Sequence, residues 1–71
     1  MTIQLTVEEK TTVVNQHLKT LAYAEYNATL SLALEEAASV PNTDKVTSLN
    51  RQLEDITSQR LVLQSELNSL A

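Results

Sequence analysis

The sequence predicts an all-α fold, a two-helix antiparallel hairpin with a short extended N-terminal arm, packed in an oligomer or larger assembly. Three observations carry that expectation. From Val46 to Leu70, apolar residues recur at alternating steps of three and four: Val46, Leu49, Leu53, Ile56, Leu63, Leu67 and Leu70. Such a stripe is the buried face of a packed helix. The first half of the chain carries a stripe of its own, at Val14, Leu18, Leu21, Ala28 and Leu32. Between the two halves lies the one proline, Pro41, in a chain that has no glycine.

Taken in order, Met1 to Leu5 alternates polar and apolar residues and reads as an extended arm. Five residues make no independent strand, so Ile3 and Leu5 are expected to hold the arm against the helices or against a neighbouring subunit. Thr6-Val7-Glu8-Glu9 is a helix start. Thr6 can accept from the Glu9 backbone while the Glu9 carboxylate reaches back, a capping box. Glu8 and Glu9 also sit at the positive end of the helix dipole. Nothing breaks the helix from there to Ala38, so the first helix is expected over about 6–38.

This helix has a second apolar face, formed in its C-terminal half by Tyr23, Tyr26, Leu30, Leu34 and Ala37. A hairpin has a single inner face to offer, and a surface helix needs a single stripe. The second stripe therefore predicts a subunit interface. Tyrosines, with apolar rings and wet tips, suit its margin.

Residues 39–42 form the turn. Pro41 costs about 3 kcal/mol inside a helix, and the residue before it is pushed toward extended backbone. Asn42 or Thr43 can cap the second helix, which is expected over 43–70, with Asp44 at its positive end. A straight proline-kinked rod is the competing arrangement, because the seam stays in phase through Leu32, Glu35, Ser39, Asn42 and Val46. The polar residues there interrupt the apolar stripe, which favours the turn. A hairpin closed between Val40 and Pro41 sets Leu32 against Leu49, Ala28 against Leu53, Leu18 against Leu63 and Val14 against Leu67. In that register the two charged intruders in the seams, Glu25 and Arg60, fall in adjacent layers and form a register ion pair. On the outer side of the second helix, Leu61 and Val62 break an otherwise polar surface and predict a further contact.

Composition excludes several kinds of function. The 71 residues form a single domain, and a chain of this size buries only about 60 % of its unfolded surface. Disulfides, a metal or oligomerisation usually compensate. There is no cysteine, so disulfides and thiolate metal sites are ruled out, and with only one histidine, His17, a His-based zinc site is not expected. Oligomerisation or docking remains. Absence of glycine excludes phosphate-cradling loops. With 5 Lys plus Arg against 9 Asp plus Glu, the net charge of -4 has the wrong sign for binding nucleic acid. No run of about 18 apolar residues exists to span a membrane, and no basic flank with an apolar block marks a secretory signal. An intracellular or virion setting is expected. Glu35, Glu36, Asp44 and Lys45 gather near the turn, where a solvated acidic corner is expected rather than a metal or catalytic site. His17 reads as a histidine at the edge of the seam. No catalytic residue, cofactor or metal ligand is expected.

The helical-hairpin layout resembles that of plasmid RNA-binding hairpin dimers in architecture alone, since the basic face those proteins use is missing. Function does not follow from fold-level likeness. The expectation is therefore a non-enzymatic structural or assembly protein. It would associate with itself or with a larger protein assembly, such as a phage virion, through Ile3, Leu5, Tyr23, Tyr26, Leu30, Leu34, Leu61 and Val62. The alternative is a small acidic regulator or inhibitor that binds a host protein. A four-helix-bundle enzyme ranks last.

Overall fold

The computed structural model describes residues 4–71. Two helices pack against each other, α1 over Val7–Glu36 and α2 over Thr43–Leu70, and no strand occurs among the described residues. The hairpin is therefore closed, and the straight rod does not form. Ile3 lies outside the described residues.

Each helix begins where its capping chemistry places it. Thr6 is the N-cap of α1, in extended backbone (φ −71°, ψ 167°), and its hydroxyl accepts from the Glu9 N–H at 3.1 Å. The Glu9 carboxylate accepts from the Thr6 N–H at 2.9 Å, completing the capping box. Asn42, not Thr43, caps α2. Its side-chain oxygen accepts from the Lys45 N–H at 3.1 Å.

At its other end α1 stops at Glu36, two residues short of the sequence expectation. The Ala37 N–H still bonds the Ala33 carbonyl, but the Ala38 N–H bonds the Glu35 carbonyl, three residues back. This tightening of the last turn is how a helix without a C-terminal glycine satisfies some of its final carbonyls before a proline-directed turn.

The inner face follows the two stripes. Val14, Ala28 and Ile56 are buried, while Leu18, Leu21, Leu32, Val46, Leu49, Leu53, Leu63, Leu67 and Leu70 are half-buried. A seam residue in a hairpin is covered by one neighbouring helix and leaves a flank in water. The described residues accordingly form a rod 56 × 24 × 15 Å in extent. Its radius of gyration is 16.5 Å, against about 11 Å for a compact domain of this length. Three buried side chains are a thin core for a folded chain.

Candidate functional site: the outer face of α1

Tyr23, Tyr26, Leu30 and Leu34 stand at steps of three and four along α1, so they share one face of the helix. Their mean direction is opposite the seam, because the seam residues occupy the remaining positions of the same heptads. All four are exposed, Leu34 at 74 %, Tyr23 at 69 % and Tyr26 at 67 %. They form one contiguous exposed apolar face, unlike apolar residues scattered singly over a surface. Ala33 and Ala37, also exposed, extend the face toward the turn.

Lys19 and Ala22 complete it at the other end. With Tyr23 and Tyr26 they line a shallow, mostly apolar groove of about 330 Å³. The sequence reading missed both residues. Their signal was the i, i+3, i+4, i+7 spacing, masked because one is charged and the other small.

The other expected interface residues are scattered by comparison. Leu5 is half-exposed beside the start of α1, and Leu61 and Val62 are exposed on α2. Leu61 and Val62 differ by one position and so point about 100° apart around the helix, which prevents them from forming a single stripe. Val62 instead lines a side groove of about 320 Å³ with His17, Thr20, Leu21, Gln59 and Leu63. His17 thus borders the junction of the two helices. Leu21 and Leu63 share that groove, within one turn of the register expected from the turn position.

Glu25 and Arg60 come together across the seam. The Arg60 guanidinium donates to Oε2 of Glu25, with both side chains part-exposed. Near the turn, Glu35 Oε1 accepts from the Asn42 N–H at 2.8 Å, and Oε2 lies 3.8 Å from Lys45 Nζ. Glu35 is the least exposed partner there, at 18 %. These two carboxylates are occupied in holding the hairpin. The hydroxyls of Thr12, Thr20, Thr57 and Ser69 turn back onto the carbonyls of their own helices, four residues upstream. Among the described residues, no group of three or more His, Asp or Glu side chains gathers to hold a metal ion. No described helix is long and apolar enough to cross a membrane.

No family model matches the chain, no curated protein matches its sequence, and no solved structure matches its fold.

Proposed function

We propose that this chain is a non-enzymatic assembly protein, a helical hairpin that associates with itself or with a larger protein complex through the outer face of α1. One observation carries the reading. The face opposite the seam presents Tyr23, Tyr26, Leu30 and Leu34 to solvent, while only Val14, Ala28 and Ile56 are buried within the described hairpin. A chain that leaves four large apolar side chains together on the outside of one helix gains stability by covering them. The second reading, an acidic regulator that docks by charge, requires carboxylates gathered on one face. The exposed acids Glu8, Glu9, Glu36, Asp44, Glu54, Asp55 and Glu66 are instead spread along both helices, which favours the assembly reading.

Light scattering on the chain, with and without its first five residues, tests the proposal. A multimer whose mass falls when Tyr23 and Tyr26 are replaced by serine supports it. A monomer whose stability and mass are indifferent to those replacements refutes self-association.

A further inference from the structure

The outer face of α1 has a depression and a projection. The groove lined by Lys19, Ala22, Tyr23 and Tyr26 follows i, i+3, i+4 and i+7 spacing, the four-residue hole that accepts a knob from a facing helix. Ala22 contributes a single methyl and leaves the hole open. The two rings and the Lys19 stem form its walls. Three turns along, Leu34 is the most exposed apolar side chain within either helix. Ala22, Tyr26, Leu30 and Leu34 succeed one another at four-residue steps and form one ridge. Such a ridge packs into the i±3 grooves of a second helix when the axes cross at about 20°, the geometry that carries knobs into holes along several turns.

We propose that a second copy of this chain occupies this face reciprocally, each Leu34 entering the Lys19–Ala22–Tyr23–Tyr26 hole of the other protomer. The two-fold axis then passes at the level of Ala28 and Thr29, and Leu30 of each protomer packs on Tyr26 of the other. The inference rests on reading the α1 outer face as an association surface, and it names the occupant.

Three features select a second copy. Hole and knob lie on the same face of the same helix, so the patch is self-complementary, which a two-fold interface requires. Charge permits it as well. Between Thr20 and Leu34 the only ionised residue is Glu25, which is turned to Arg60, so like charges do not meet across the axis although each protomer carries -4. Lys19 of each protomer approaches the turn of the other, where Glu36 and Asp44 are exposed. The area is also sufficient. With about 150–250 Å² per aromatic side chain, the four large residues offer on the order of 500 Å² per protomer. Ala22, Ala33 and Ala37 bring this to the roughly 600 Å² a side at which specific interfaces begin.

Sedimentation equilibrium of the native chain and of Ala22→Leu provides the first arm of the test. Ala22→Leu adds apolar surface, which would strengthen unspecific association, yet it fills the hole. The expected result is a reversible native dimer whose dissociation constant rises roughly tenfold or more in the variant, at unchanged helicity. The second arm uses the absence of cysteine. An oxidised mixture of Ala22→Cys and Leu34→Cys chains should give a covalent heterodimer, while neither alone cross-links. A native dimer that Ala22→Leu leaves intact, or that fails to cross-link in the mixture, overturns the reciprocal arrangement but leaves the association reading standing. A monomer at every concentration overturns both self-association and this geometry.

Discussion

Arg60 reaches across the hairpin to donate to Oε2 of Glu25, joining the two charges that interrupt the two apolar seams. Both side chains keep about a third or more of their surface in water, at 34 % for Arg60 and 41 % for Glu25. Water screens such a pair and ordering two long side chains costs entropy, so exposed pairs are worth about 0.2–1 kcal/mol. The pair is therefore expected to act on register more than on stability. Slipping one helix by a turn strands a guanidinium among leucines, which is costly. Arg60→Leu is therefore expected to change the unfolding free energy by less than about 1 kcal/mol in urea titrations. A double-mutant cycle with Glu25→Gln should give a coupling of about 0.5 kcal/mol that shrinks with added salt. Complete loss of folding in Arg60→Leu would contradict this account.

Glu35 does a different job from the other acids near the turn. Its carboxylate accepts the N–H of the residue that caps α2 and lies near Lys45, so one side chain links the end of α1 to the start of α2. Glu35→Ala should cost about 0.5–1.5 kcal/mol, the net worth of such a hydrogen bond. Glu35→Gln retains an acceptor oxygen and should cost clearly less. Equal losses for the two variants would assign the effect to the Lys45 ion pair instead.

Ile56 and Ala28 are the most enclosed side chains of the hairpin, at 4 % and 2 % exposure. Ile56→Ala removes methylene groups from one of the few sites without solvent relief, and such truncations cost about 2–5 kcal/mol. A small domain holds only about 5–15 kcal/mol in all, with a thin core at the low end. Circular dichroism should find Ile56→Ala largely unfolded at room temperature when dilute. Ala28→Leu should destabilise through overpacking by about 1–3 kcal/mol. Neutral behaviour in both would mean that the hairpin's stability resides outside its seam.

The turn is the one place where the chain could choose differently. Seam positions remain in phase through Glu35, Ser39, Asn42 and Val46, so a continuous helix is prevented by Pro41 and by the Asn42 cap. Replacing both, Pro41→Ala with Asn42→Ala, should raise helicity and convert closed hairpins into an extended, domain-swapped dimer. Small-angle scattering would register this as a larger radius of gyration. An unchanged radius would show that seam packing alone closes the hairpin.

Stability should also depend on protein concentration. If α1 pairs with another copy, the native dimer gains stability by mass action that the monomer lacks. Melting temperatures should rise with concentration for the native chain and remain flat for Leu34→Ser. A flat response in both would argue against self-association on this face.

Much of the architecture was legible in the sequence because its causes are local. Alternating steps of three and four put Val46 through Leu70 on one side of a helix whatever surrounds it. Thr6 and Glu9 are three residues apart, and Pro41 has no N–H to give. The meeting of Glu25 and Arg60 was legible for a related reason, since a short turn converts sequence position into register. The early end of α1 at Glu36 was not legible, because it depends on how the chain tightens to bring Asn42 under the Glu35 carboxylate. The groove at Ala22 was equally hidden, because Lys19, Ala22 and the two tyrosines line it only once the rings are placed.

Periodicity, caps and a single proline thus suffice to determine two amphipathic helices folded back on each other, and a second apolar stripe on the first. They do not determine what each polar group ends up touching. Glu35 could have faced water, paired with Lys45 alone or capped the turn, and the choice among these depends on rotation about two helix axes. Only the packed hairpin assigns that rotation. It turns Glu25 and Glu35 inward as fasteners and leaves Tyr23, Tyr26, Leu30 and Leu34 outside, where one inner face cannot cover them.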